Sequence, residues 1–143
     1  MRRIDMGNDA VSFISYAESV CFTRPWTSDE VQSAVCGEYG ISVTEPDVGY
    51  ALGRQSFDEA ELYRIAVLPE KRGNGAGGDL LDRFIAACSE RGVCRIFLEV
   101  RSKNEPAVKL YESRGFKLIS VRKGYYGDDD ALIYILGSGE NNV

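Results

Sequence analysis

Apolar positions along this chain change their spacing from one stretch to the next, and each spacing predicts an element. Val11, Ile14 and the run from Glu18 to Phe22 recur at helical intervals, with Phe13 and Tyr16 beside them, so residues 9–21 are expected to form a helix. Gly7-Asn8-Asp9 suits the turn that starts it, and Arg2 to Met6 reads as a short edge strand. Thr23-Arg24-Pro25-Trp26 interrupts the pattern. Thr27 and Glu30 then have the spacing of a capping box, which opens a second helix ending before Gly37. From Ile41 the spacing becomes strand-like. Ile41–Thr44, Val48–Gly53 and Ala60–Val67 are predicted strands, joined at Glu45-Pro46-Asp47 and Gln55-Ser56-Phe57-Asp58, and such short connections imply antiparallel neighbours.

Beyond Val67 the order changes to strand, loop, helix, strand. Leu80, Leu81, Phe84 and Ile85 mark the buried face of a helix that runs from near Gly75 to about Arg91, with Gly92 as its stop. Cys94–Val100 is the strand this helix delivers, so it is expected to lie parallel to Glu61–Val67 through a right-handed crossover. Asn104 caps a further helix with Pro106 in its first turn, and Gly115 ends it. Phe116–Tyr126 and Ala131–Leu136 are the last predicted strands. The expected fold class is therefore α/β: a mixed central sheet, antiparallel at first and parallel around the glycine loop, flanked by helices. One domain is expected over residues 1–137, followed by a polar tail at 138–143.

The stretch Arg72-Gly73-Asn74-Gly75-Ala76-Gly77-Gly78 carries the first chemical signal. Glycines let a backbone approach a ligand closely, and the helix that follows offers free N–H groups and the positive end of its dipole. Together these suit a phosphate. Gly73, Gly75 and Gly78 also fit the G-x-G-x-x-G dinucleotide spacing, with Glu99 at the end of the next strand. Leu68-Pro69-Glu70-Lys71-Arg72 separates strand from loop, however, and too little chain follows to complete a doubly wound sheet.

Composition narrows the chemistry. The chain of 143 residues contains no histidine, which removes the commonest general base and every Ser-His or Cys-His pair. Cys21, Cys36, Cys88 and Cys94 show no C-x-x-C spacing, so buried free thiols are expected, with no metal site. A net charge of −5 argues against a nucleic-acid surface and favours a cationic partner. Asp58, Glu59, Glu61 and the run Asp128-Asp129-Asp130, read as a solvated loop, are the acidic groups available to attract one. No run approaches the roughly 20 apolar residues of a membrane span, and the first residues lack the apolar core of a signal peptide. A cytoplasmic protein is expected.

Several stretches occur together and in order: Phe22-Thr23-x-Pro25-Trp26-Thr27, Ile65-Ala66-Val67-x-Pro69, Arg72-x-x-Gly75-x-Gly77, Leu98-Glu99-Val100-Arg101-x-x-Asn104, Leu110-Tyr111-Glu112-Ser113-x-Gly115-Phe116, and Arg122-Lys123-Gly124-Tyr125-Tyr126 followed by Asp130-Ala131-Leu132-Ile133. On these residues the chain resembles the GNAT (Gcn5-related) N-acetyltransferases, and among them the bacterial RimI type of ribosomal-protein alanine N-acetyltransferase. The resemblance implies acetyl-coenzyme A as co-substrate and no metal. It implies that Ile65, Ala66 and Val67 offer backbone groups to the pantetheine and acetyl carbonyl. Gly73, Asn74, Gly75, Ala76, Gly77 and Gly78 would hold the pyrophosphate, Arg72 belongs to the same cofactor-binding loop, and Asn104 would touch the cofactor arm. Glu99 becomes the general base and Tyr111 the acid that reprotonates the leaving thiolate. Trp26 and Tyr126 would meet the acceptor, the basic N-terminal peptide of a small-subunit ribosomal protein, and the enzyme would act as a monomer. Gly73 departs from the relatives, which often carry arginine there, and the loop from Tyr126 to Asp130 is short.

The chemistry is consistent with those roles. A peptide α-amino group has a pKa of about 7.8, so neutralising it at pH 7 costs on the order of 1 kcal/mol, against roughly 4.6 for lysine. One carboxylate can meet the smaller demand. Two rivals stay open at this point: the same enzyme acting on a lysine or a small-molecule amine, and a non-catalytic acyl-coenzyme A binding module. For Trp26, Tyr125 and Tyr126, core packing is an equal alternative to peptide contact.

Overall fold

The computed structural model describes residues 6–137, in the order α1 (Met6–Cys21), α2 (Ser28–Cys36), β1 (Gly40–Glu45), β2 (Gly49–Ser56), β3 (Glu59–Val67), a short 3-10 turn (Pro69–Lys71), α3 (Ala76–Glu90), β4 (Arg95–Arg101), α4 (Glu105–Ser113), β5 (Lys117–Arg122) and β6 (Ala131–Gly137). The strand expected at 2–6 lies outside the described residues up to Met6, which already belongs to α1. The tail at 138–143 also lies outside them.

One six-stranded sheet runs β1-β2-β3-β4-β6-β5. Its single parallel pair is β3 with β4, joined through the glycine loop and α3, as the sequence predicts. Every other pair is antiparallel. The last strand inserts between β4 and β5, and β5 is left at the edge with all six residues exposed. The long strand expected at 116–126 is shorter for that reason: beyond Arg122 the chain turns through Gly124 and Gly127, both at positive φ, to bring β6 back alongside β4.

Two cores cover the two sheet faces. Leu80, Leu81 and Phe84 of α3 and Tyr111 of α4 pack with Ile41, Ala60, Leu62, Ile96, Leu98 and Val100. Ile14 and Ala17 of α1 and Val31 of α2 pack with Tyr50, Leu52 and Ala66 on the opposite face. Thr27 and Glu30 form the predicted capping box, which satisfies the N–H groups that start α2.

Two readings of the sequence need correction. Only Cys88 is a buried thiol; Cys21 is half-buried, and Cys36 and Cys94, which stand at the end of α2 and just before β4, are exposed. All four are free. The acidic run is not wholly solvated either, because Asp129 is buried. Among the described residues no helix is long and apolar enough to cross a membrane, and no cluster of three or more potential metal ligands occurs.

Candidate active site

A β-bulge builds the site. In the β2–β3 register, Leu52 faces Arg64 and Gly53 faces Leu62, which leaves Tyr63 as the extra residue. The bulge exchanges the two faces of β3: Ala60 and Leu62 point to the α3 side before it, whereas Ala66 points to the α1 side after it. Pairing between β3 and β4 stops at the same place, with Leu62 opposite Leu98 as the last pair. Among the described residues, β3 has no strand partner on its β4 side from Tyr63 onward. The two strands diverge, and an opening appears in the middle of the sheet.

On the α3 side this opening leads into a cleft of about 500 Å³, lined by Ile65, Ala66 and Val67 of β3, by Arg72, Gly73, Gly75, Ala76 and Gly77 of the loop, and by Asn104 and Tyr111. Gly75 is the N-cap residue of α3, at φ 81°, and no side chain caps the helix there. The first-turn N–H groups are therefore available to an anion. Gly73 is also at positive φ, and a Cβ on either glycine would meet nothing within 4 Å. These two glycines serve backbone conformation and leave the loop surface open. Arg72 is turned back, its Nε donating to the Val67 carbonyl at 2.8 Å. Two predicted loop residues stand apart from the cleft. Asn74 lines a neighbouring hollow with Lys71, Asp79 and Arg83. Gly78 is buried under Arg114, whose guanidinium occupies the space that a Cβ would need.

Asn104 caps α4, its Oδ1 accepting from the Ala107 N–H at 3.3 Å, and it also lines the cleft. Tyr111 of α4 is 6 % exposed and packs edge-on against Phe116. Burial pushes its phenol up to about 12, so the group keeps its proton throughout the neutral range. Among the described residues no group hydrogen-bonds the Tyr111 hydroxyl.

Glu99 alternates with Leu98 and Val100 on β4, so its side chain lies on the opposite face of the sheet from Tyr111. Tyr126 donates its hydroxyl to Glu99 Oε2 at 2.6 Å. Burial first, and then this bond to a carboxylate, push the Tyr126 phenol up to about 12. The Arg101 guanidinium lies 3.9 Å from the centre of the Tyr126 ring, and Tyr125 meets that ring edge-on. Glu61 shares this face, and its carboxyl is raised by burial and then by the charge of Glu99. Trp26, in the loop between α1 and α2, lies 5.9 Å from Tyr63. Both line a groove of about 340 Å³ with Tyr39, Glu30 and Glu38.

One contributor was not legible as a site residue. Asp129 fastens the Tyr125-Tyr126 loop to the segment after β4: it accepts from the Ser102 hydroxyl and from the Lys103 N–H at 3.0 Å. Its own carbonyl accepts from the Tyr126 N–H at 3.1 Å. Burial would raise its carboxyl, but the bonds from Ser102, Lys103 and Asp130 outweigh burial and hold it below the ordinary value. A folded value below the unfolded one means this fastening is complete above the ordinary carboxylate range and is lost as pH falls through the folded value. Asp129→Ala is expected to release the loop at neutral pH, seen as faster proteolytic cutting between Arg122 and Asp130 with the rest of the domain intact. The available signal was the position of the run, directly before a strand.

Comparison with known proteins gives a consistent result. The acetyltransferase (GNAT) family pattern matches residues 13–116. The [ribosomal protein bS18]-alanine N-acetyltransferase of Escherichia coli K12 is 41% identical over 91 residues, covering 61% of this chain. That match spans 62% of the relative's length, short of two thirds. The crystal structure of the Escherichia coli ribosomal-protein-S18-alanine N-acetyltransferase superposes with a TM-score of 0.78 at 29% identity, covering 99% of this chain and 97% of that one. A putative streptothricin acetyltransferase from Bacillus anthracis, solved in complex with acetyl coenzyme A, shares the fold at a TM-score of 0.58 and 24% identity, over 64% of this chain and 56% of that one.

Proposed function

The chain belongs to the acetyltransferase (GNAT) family, and from that premise we propose that it moves an acetyl group from acetyl-coenzyme A to the α-amino group of an N-terminal alanine, with ribosomal protein bS18 as acceptor. The observation that carries this reading is the opening between β3 and β4, with an uncapped helix start and Tyr111 on one side and Glu99 with Tyr126 on the other.

The cleft suits an extended polar ligand ending in phosphates. The strand edge from Tyr63 to Val67 offers N–H and C=O groups as an additional strand would use them. The N–H groups at the start of α3 face the negative charge. Acetyl-coenzyme A would supply the activated acyl group as a thioester. The acceptor nitrogen attacks the thioester carbon, the C–S bond breaks, and an amide forms. Glu99 takes the proton lost by the amine, directly or through a water, and Tyr111 donates its proton to the departing sulfur. No covalent enzyme intermediate is needed. Glu61 and Glu99 make the acceptor face attractive to a cationic N-terminus, in keeping with the net charge of −5. Trp26 and Tyr126 would contact the acceptor peptide.

The test is thiol release from acetyl-coenzyme A with a basic peptide bearing a free N-terminal alanine, run beside its N-terminally blocked form. Turnover with the free peptide alone is expected. An inert peptide in the presence of bound cofactor would transfer the assignment to small amines or to a silent binding module. The pH profile separates acceptor classes. With an α-amine, kcat/KM should rise to about pH 7.8 and then level off, whereas a lysine acceptor would carry the rise toward about 10.4. Tyr111, raised to about 12, adds no earlier alkaline fall.

A further inference from the structure

Glu18 is fully buried on α1, in the core formed with Ile14, Val31, Tyr50 and Leu52, and the reaction above does not use it. Its carboxylate accepts a hydrogen bond from the Tyr50 hydroxyl and another from the Trp26 N–H at 2.7 Å. Arg64 Nε lies 3.8 Å away. Burial, followed by the bond to Glu18, holds the Tyr50 phenol far above its ordinary value, so Tyr50 is the donor and Glu18 the acceptor. A buried ion pair adds little net stability compared with apolar residues of the same volume. What it does supply is a fixed position for whatever it binds.

What Glu18 binds is the connection between α1 and α2. That segment contains Pro25, which has no N–H to donate. The Trp26 N–H is held by Glu18, and the Arg24 carbonyl accepts from Arg64 Nη2 at 3.4 Å. Arg64 itself is clamped: its guanidinium sits 4.0 Å from the centre of the Phe22 ring and 5.4 Å from that of Trp26. Cys21 and Phe22 line the cofactor cleft, while Trp26 lines the neighbouring groove. The segment thus contributes lining residues to both.

We infer that Glu18 is a positioning residue for acceptor recognition: through the Trp26 N–H and Arg64, its buried carboxylate fixes the 21–26 segment that lines both cofactor cleft and acceptor groove. This rests on the acetyltransferase reading, although the placement of the segment can be measured without it. Trp26 is the single tryptophan of the chain, so its emission reports the segment directly.

The experiment compares Glu18→Met with the unaltered protein in three measurements: KM for the acceptor peptide, Kd for acetyl-coenzyme A by calorimetry, and acrylamide quenching of Trp26. Acceptor KM should rise about ten- to a hundredfold, as a displaced contact residue would cause. The acetyl-coenzyme A Kd should weaken by less than the acceptor KM, because only Cys21 and Phe22 of the segment line that cleft. Trp26 should become more accessible to quencher. A purely structural role would lower the melting temperature and leave both KM and quenching unmoved, which would overturn the inference. Arg64→Met, at a partly exposed site, should reproduce the pattern, and serves if Glu18→Met does not fold. Should no acceptor be turned over by either protein, the acetyltransfer reading fails alone, and unchanged quenching is then the result that removes the role of Glu18.

Discussion

Glu99→Gln is expected to lower kcat by about two to four orders of magnitude, the range that a positioned general base contributes. A glutamine at this position would keep the size of the side chain and a carbonyl oxygen to accept from Tyr126, so the local packing should persist. What is lost is the capacity to receive a proton from the acceptor. The acetyl-coenzyme A Kd should be unchanged, because Glu99 lies on the opposite face of the sheet from the glycine loop and outside the cleft lining. If Glu99 only supported Tyr126, kcat would fall little and acceptor KM would rise instead. Steady-state rates at saturating and limiting peptide distinguish the two.

Phe84→Ala should produce the largest loss of stability. Phe84 of α3 is fully buried and stands against Gly53, where an added Cβ would fall 2.5 Å from its ring. Gly53 borders the register shift that creates the bulge at Tyr63. Truncation removes a large aromatic from the wider core, with an expected cost of about 3–5 kcal/mol. Against a total stability of about 5–15 kcal/mol this is severe. The check is the midpoint of urea unfolding with the slope held common to both proteins. A cost below about 1 kcal/mol would mean that the site collapses around the gap.

Local chemistry was legible in the sequence. Gly92 and Gly115, both at positive φ in the structure, stopped the helices where expected, and Thr27 with Glu30 marked the start of α2. The strand, glycine loop, helix and strand around residues 61–100 predicted a parallel pair, because a helical crossover returns in the same direction. Helix α1 begins at Met6 rather than at Asp9, so Gly7 and Asn8, which read as a turn, belong to its first turn instead.

What was not legible depended on residues distant in sequence. Nothing near Ala131 indicates that β6 will enter between β4 and β5. Beyond Tyr63 the run Ile65-Ala66-Val67 is apolar at every position, so the sequence pattern hides the change of phase at Tyr63. Glu18 did leave a trace, since it occupies a core-facing helical position with Ile14 and Phe22, but its partners Tyr50 and Arg64 come from strands far along the chain. For the same reason Asn74 and Gly78 could not be told from the glycines that line the cleft.

The insertion of the final strand has a consequence for how the protein is made. Until residues 131–137 leave the ribosome, β4 has only its four-residue pairing with β3, and β5 has no neighbour at all. The half of the sheet that carries Glu99 therefore closes only after β6 has emerged, and meanwhile presents unpaired strands able to join another nascent chain. Emergence of β6, rather than of the glycine loop, sets the earliest moment at which the site can exist.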